Sequence, residues 1–345
     1  MRILITGAQG YVAGAAIPAI RKALPDAVLV GTDNGYFAPC VVPGMTVPDD
    51  QLNEFIQADI RTVDYQKFGK LDGAIHLAAI SNDPIGNQFE GVTAEVNTDC
   101  AVRLAKYVKS TGGSRFVFAS SCMVYGEATG GPRSETDPVG PITAYAKSKI
   151  NSEIALQPLA DESFMVTALR FCTAFGLAPR LRLDLVINDF VASAVTTGKI
   201  EILSDGSPWR PLIHVRDMAR AMAWSLSRGG DPFLALNIGK DENTWQIGQL
   251  AKEVAAVLGG IEVSINTNAP PDRRSYKVDF SKFRALAPNH QPVEDFTASI
   301  KELRDALSKI DFGAESFRQS PFIRLSRLRT LQAANQLDDE LRWVA

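Results

Sequence analysis

The sequence predicts an α/β fold, a doubly wound parallel sheet with a smaller, mixed α/β domain beside it. Three observations carry that expectation. Short apolar runs alternate with longer helical segments through the first half of the chain. Those runs are nearly continuous, as strands are when helices cover both faces of a sheet. The first run opens directly into a glycine-rich turn, and past residue 175 the regular spacing loosens.

In chain order, residues 3–6 read as strand, 11–24 as helix, and 28–32, 54–58 and 73–77 as strands. A helix over 92–110, a strand over 115–120, a helix over 145–159 and a strand over 164–171 continue the alternation. In the second half 184–197, 215–226 and 246–258 read as helices, and 199–203 and 233–238 as strands. A loop rich in Asn and Pro, 266–271, follows. Residues 316–343 read as helical, since Phe322, Leu325, Leu328 and Leu331 recur every three residues. The expected division is therefore 1–175 for the sheet domain and 176–312 for the smaller domain, with strands or helices exchanged between them. Residues 313–345 form a helical tail whose arginines, Arg318, Arg324, Arg327 and Arg329, make a solvated face.

With 345 residues, 46% hydrophobic and 22% charged, the chain is long enough to build its core without disulfide or metal support. A net charge of −3 and the lack of a dense Lys/Arg block argue against nucleic acid as a partner. No apolar stretch approaches the roughly 20 residues that cross a bilayer, and no signal peptide opens the chain, so a cytoplasmic location is expected. Cys40, Cys100, Cys122 and Cys172 show neither CxxC pairing nor adjacent histidines, which fits reduced thiols and no metal site.

The turn after the first strand reads Thr6-Gly7-Ala8-Gln9-Gly10-Tyr11-Val12-Ala13-Gly14. Gly7 suits a tight strand-to-helix turn, Gly10 lets backbone N–H groups approach a diphosphate, and Ala13 is small enough for helix and strand to pack closely. Asp33 ends the second strand, near the ~20-residue spacing expected of an acid that accepts both ribose hydroxyls. A carboxylate there repels a 2′-phosphate, and no Arg or Lys stands beside it in sequence, so NAD is expected over NADP. Further on, Tyr145 and Lys149 stand four residues apart, on one face of a helix. A cation beside a phenol favours phenolate and makes an acid/base of it. Ser120 and Ser121 end the preceding strand, at the carboxyl edge where ligands bind in such sheets. His76 reads as a packed histidine, and His214 as a residue that helps to start a helix.

Taken together these pieces resemble the extended short-chain dehydrogenase/reductase family, in its NAD-dependent epimerase/dehydratase branch. The resemblance runs from Met1 to about Phe283. It rests on the glycine turn, Asp33, Ala58-Asp59-Ile60, His76-Leu77-Ala78-Ala79, Asn97, Ser120-Ser121 before Val124-Tyr125-Gly126, and Tyr145 with Lys149. It implies a Rossmann domain in which Gly7, Gly10, Ala13, Asp33, Asp59, Ile60, Ala78, Asn97 and Lys149 hold NAD. Ser121, Tyr145 and Lys149 would be catalytic. Thr173, Arg210 and Arg273 would bind a nucleotide-sugar substrate, with the two arginines on its phosphates. The resemblance also implies a homodimer, built on the helices over 92–110 and 145–159.

Where 4,6-dehydratases of that family carry an Asp-Glu pair after the Ser, this chain has Cys122 and Met123. Met123 also stands where 3,5-epimerising members place a cysteine. The expected activity is therefore epimerisation by transient oxidation at sugar C4. Reduction or oxidation of a nucleotide keto-sugar is the alternative, and a non-catalytic NAD-binding module a third reading. Thr173 replaces a common Asn, and Pro211-Leu212 follow Arg210 in place of an acid and an aromatic, so the grip on substrate departs from the family pattern.

Overall fold

The computed structural model describes residues 1–128, 130–269, 272–312 and 316–344. Pro270 and Pro271, in the expected Asn/Pro loop, and 313–315, at the expected start of the tail, lie outside the described residues. In chain order the elements begin with β1 (Arg2–Thr6), α1 (Ala13–Ala23), β2 (Val28–Asp33), β3 (Glu54–Gln57) and β4 (Gly73–His76). Next come α2 (Asp83–Gln88), α3 (Glu90–Ala94), α4 (Cys100–Ser110), β5 (Arg115–Ser121), α5 (Ala144–Leu156), β6 (Met165–Phe171) and β7 (Thr173–Phe175). The second half holds α6 (Val186–Thr197), β8 (Lys199–Ile202), β9 (Trp209–His214), α7 (Val215–Ser225), β10 (Phe233–Ile238) and β11 (Thr244–Gln246). It closes with α8 (Ile247–Val257), β12 (Glu262–Ile265), α9 (Ser281–Leu286), α10 (Phe296–Leu307) and α11 (Arg324–Ala333).

Seven strands form one parallel sheet in the order β10-β6-β5-β4-β1-β2-β3. The order reverses between β1 and β4, and the crevice at such a reversal is where these sheets bind ligands. Alternate side chains serve opposite faces. Ile3 and Ile5 join the cluster of Ile17, Ile20, Met222 and Phe283 on one side, whereas Leu4 joins Leu104, Val108, Phe116 and Phe164 on the other. Both clusters are buried, which explains the continuous apolar strands.

A second lobe surrounds the three-stranded sheet β11-β9-β7 and the parallel pair β12-β8, packed by α6, α8 and α10. Its core joins Phe175, Ile187, Leu250, Val254, Ile300 and Leu303. The strand β10 belongs to the main sheet although its sequence lies in the second half, paired with β6 from Phe233↔Val166 to Ile238↔Phe171. His214 caps α7 by accepting from Arg216 N–H at 3.1 Å.

The helix over 92–110 forms, with α3 and α4 running into each other through a π turn, Glu95–Asp99. One expectation needs correction. The tail is not one helix. Among its described residues only α11 and a 3-10 turn, Phe317–Gln319, are helical, and Asn335 and Leu341 have positive φ. Leu328, Leu331, Leu337 and Leu341 are buried with Tyr36, Ile80 and Ile85, so the tail packs on the body as a strap.

Candidate functional site

A cavity of ≈ 260 Å³ lies over the carboxyl ends of β1, β2, β4 and β5. Its floor is the glycine turn. Gly7 has φ +68°, and a Cβ there would stand 2.8 Å from Ala78 N. A Cβ on Gly10 would stand 2.9 Å from the Gly7 carbonyl oxygen, to which Gly10 N–H already donates. Ala13 is fully buried in the first turn of α1, and no side chain caps that helix. Gly10, Tyr11, Val12 and Ala13 all line the cavity, so the positive end of the α1 dipole faces it, a fit for a diphosphate.

Asp33 sets the far end. One carboxylate oxygen accepts from Gln9 N–H at 3.0 Å and the other from Gly35 N–H at 2.8 Å. Burial pushes its pKa up, against these two hydrogen bonds and the charges of Arg180 and Arg324. The cations that sequence does not place beside Asp33 thus arrive through the fold. Arg180 is committed to Asp49 by a two-pronged pair at 2.8 and 2.7 Å.

Asp59, Ile60 and Ala78 also line the cavity. The Asp59 carboxylate is bound to Arg61, at 2.6 Å. Asn97 is not on the wall. Fully buried in the π turn, it accepts from Ile80 N–H at 2.8 Å and donates to the Ile80 carbonyl and to Ser148 Oγ. It braces the loop after β4 against α5.

At the other end Ser121, Tyr145 and Lys149 meet on one wall. Ser121 ends β5, and its hydroxyl accepts from Met123 N–H at 3.2 Å. Tyr145 and Lys149 lie on the first turns of α5, where Thr143 caps the helix by accepting from Ala146 N–H. Burial pushes the Tyr145 phenol up to about 12, while a hydrogen bond with Ser121 and the Arg182 cation hold it down. Lys149 is 3% exposed, with its ammonium 4.7 Å from the Phe118 ring centre and 5.5 Å from that of Tyr145. Burial lowers its pKa to about 7, and Glu153, one turn further along α5, pulls it up. Glu153 is buried and paired with Arg170 at 2.7 Å. It also accepts from Ser120, and Arg170 donates to Tyr125 at 3.0 Å. The 145, 149, 153 spacing was visible in sequence as a signal for Glu153, as was a lone Arg170 in an apolar strand.

Cys122 is fully buried and donates to the Arg170 carbonyl. Cys172 lies against it, and burial pushes its thiol up. All four cysteines are free and buried. Among the described residues no His/Cys/Asp/Glu group could hold a metal. His76 hydrogen-bonds Thr6 at 2.9 Å, and burial lowers its pKa to about 3, so it is a neutral packed side chain.

The residues expected to bind substrate are divided. Thr173 lines the cavity at the start of β7. Arg210 is largely enclosed, paired with Asp272 at 3.1 Å and set over the Tyr276 ring. Arg273 instead points outward, 72% exposed and paired with Glu127. Its neighbour Arg274 turns inward to Asp83 and Asp272. Sequence reading missed Arg182, which lines the cavity and holds Ser81 at 2.8 Å and Asp184 at 2.9 Å. It missed Arg324 too, and nothing in the tail's pattern pointed there.

The family model described as "NAD dependent epimerase/dehydratase family" matches residues 3–239. Among curated proteins, the dTDP-D-glucose 4,6-dehydratase of Mus musculus is 26% identical over 286 residues, covering 81% of this chain and 77% of that protein. The UDP-glucose 4-epimerase of Lacticaseibacillus casei is 28% identical over 262 residues, covering 69% and 76%. Among solved structures, the NAD-dependent NDP-hexosamine 5,6-dehydratase TunA superposes with a TM-score of 0.76 at 20% identity, covering 90% of this chain and 98% of that one. The UDP-glucose 4-epimerase of Thermotoga maritima superposes with a TM-score of 0.75 at 23% identity, covering 90% and 99%. These two likenesses establish the fold.

Proposed function

The chain belongs to the NAD-dependent epimerase/dehydratase family of enzymes, and within it we propose that it is a nucleotide-sugar epimerase working by transient oxidation at sugar C4. The observation that carries this reading is the meeting of Ser121, Tyr145 and Lys149 on one wall beside Cys122 and Met123. The first three are what alcohol oxidation needs, and the last two lack the carboxylates that elimination of water needs.

NAD, when bound, supplies a reversible two-electron oxidant. The chain's own residues handle the proton and the orientation. The Ser121 hydroxyl and Tyr145 phenol engage the sugar oxygen, and the tyrosinate accepts its proton as the ketone forms. The Lys149 cation stabilises that phenolate, and Glu153 keeps Lys149 protonated. In the return step Tyr145 gives the proton back, so the enzyme ends as it began. Gly7, Gly10, Ala13 and Asp33, with Asp59, Ile60 and Ala78, are the residues that would hold the dinucleotide. Asp83 acts on Tyr145 electrostatically, and its carboxylate is paired with Arg274.

Thr173 and Arg210 are assigned to the nucleotide-sugar, with Arg274 a better-placed partner for its phosphates than the outward-facing Arg273. The chain is taken to be a homodimer joined through α4 and α5, where Ile154 is 63% exposed. A monomer mass in light scattering overturns that. Four free thiols fit a cytoplasmic setting.

The test is to denature freshly purified protein, identify the dinucleotide released, and incubate native enzyme with a panel of nucleotide sugars. Released NAD, with a C4 pair interconverted and no net NADH, supports the epimerase. NADH consumed only with keto-sugars transfers the assignment to a reductase. A product lighter by one water transfers it to a dehydratase.

A further inference from the structure

The family match ends at residue 239, yet residues 316–344 return to the cofactor end of the cavity. Arg61 donates to the Glu340 and Leu341 carbonyls at 2.6 and 2.9 Å, and Tyr36 donates to the Leu341 carbonyl as well. Trp343 Nε1–H donates to the Asn34 carbonyl at 2.7 Å, one residue past Asp33. Leu328 and Leu331 seal the apolar seam against Tyr36, Ile80 and Ile85.

Arg324 opens α11 inside this strap. Its side chain is on the cavity wall and the residue is 4% exposed. One amino group donates to the Arg180 carbonyl at 3.1 Å, and the guanidinium lies 4.3 Å from the Phe37 ring centre. The other, Nη1, is buried without a hydrogen-bond partner. Arg182 repels it, while Cys40, Asp184 and Asp33 attract it, with no hydrogen bond to either carboxylate. A buried guanidinium with spare donors is costly unless an anion completes it. Its position says which anion. Asp33 marks the adenosine ribose, and Arg182 stands beside Tyr11 and Tyr145. Arg324 shares the cavity wall with Asp33, Arg182 and the start of α1 at Gly10 and Ala13, and in a dinucleotide the anionic group between the adenosine ribose and the reacting end is the diphosphate.

We propose that Arg324 is a ligand of the diphosphate of the bound dinucleotide, carried in by a C-terminal strap that retains the cofactor between turnovers. The inference rests on the reading of the cavity as an NAD site. A retained cofactor is what a reaction without net redox change requires.

The experiment compares wild type with Arg324→Gln and Arg324→Lys, each checked for folding by circular dichroism. Dissociation of NADH is followed by fluorescence, and affinities for ADP-ribose and adenosine by calorimetry. Arg324→Gln should release NADH about 10–100-fold faster and weaken ADP-ribose to a similar extent, with adenosine unchanged. Arg324→Lys should fall between. Equal ADP-ribose affinity in Arg324→Gln and wild type overturns the proposal, as does a loss confined to the 2′-phosphorylated analogue. If Arg324→Gln does not fold, Trp343→Ala loosens the strap from outside the cavity, and unchanged NADH release there overturns it. A wild-type protein that binds neither NADH nor ADP-ribose refutes the cofactor reading itself.

Discussion

The two ends of the cavity are built differently. The end proposed as catalytic takes Ser121 from the tip of β5, and Tyr145 and Lys149 from the helix that follows, within 29 residues of chain. Behind them Ser120, Glu153, Arg170 and Tyr125 form a buried, hydrogen-bonded backing. The end proposed to hold adenosine takes Asp33 from β2 and is closed by a strap that begins almost 300 residues later. The first is built locally and backed by buried hydrogen bonds. The second is held by docking, through Arg61, Tyr36 and Trp343 to backbone carbonyls. A group that must keep its place to within a fraction of an ångström belongs on the first kind of frame, and one that must admit a large cofactor belongs on the second.

Substitutions at the two ends should separate accordingly. The largest effect is expected from Tyr145→Phe, which removes the acid/base and keeps the ring. Turnover of the interconverted sugar pair should fall about 10³-fold, within the range for positioned acid–base groups, while NAD content stays at the wild-type level. Loss of NAD together with activity would show that the two ends are not separable.

Next comes the backing. Glu153→Ala leaves the Arg170 guanidinium buried and unpaired, and denaturant unfolding should register a loss of about 3–5 kcal/mol. The gentler Glu153→Gln removes the charge that sustains Lys149, so the alkaline limb of activity should move to lower pH. The same lysine gives a signature in stability. Its folded pKa, about 7, lies below the unfolded value of 10.5, so the unfolded chain binds more protons between them. Stability should therefore rise with pH across that window, and Lys149→Met should flatten the rise in chemical denaturation.

At the adenosine end, Asp33→Ala should weaken NAD about 10–100-fold, the worth of charge-assisted hydrogen bonds to a ribose, and narrow its preference over NADP. Calorimetric titration with both dinucleotides reads this. The smallest effect is expected of Trp343→Phe, which keeps the ring beside Tyr36 and removes one exposed hydrogen bond to Asn34. Docking of the strap should weaken by about 0.5–1 kcal/mol, seen as faster amide exchange over residues 336–344 with unchanged turnover.

The sheet and the catalytic end were legible because their signals are local. Strand and helix periods, the Gly7 turn that only a glycine fits, and the 145–149 spacing depend on neighbours in sequence, and local sterics enforce them wherever the chain lies. Asn97 was legible as a residue that matters, but not its part. Its facing partners, Ile80 and Ser148, come from another loop and another helix. Arg273 and Arg274 are adjacent in sequence, and only the path of the loop decides that the second turns inward. In the tail, apolar residues every three positions suggested one long helix with its arginines in water. Tertiary packing overrode this, ending α11 near Ala333 and burying Arg324 between Phe37 and the Arg180 carbonyl. The sequence by itself thus determined which residues could do the chemistry, because helix and strand geometry spaces them over a few residues. What closes over that end of the cavity was decided by the tertiary structure, because a contact between Asn34 and Trp343 has no periodicity to announce it.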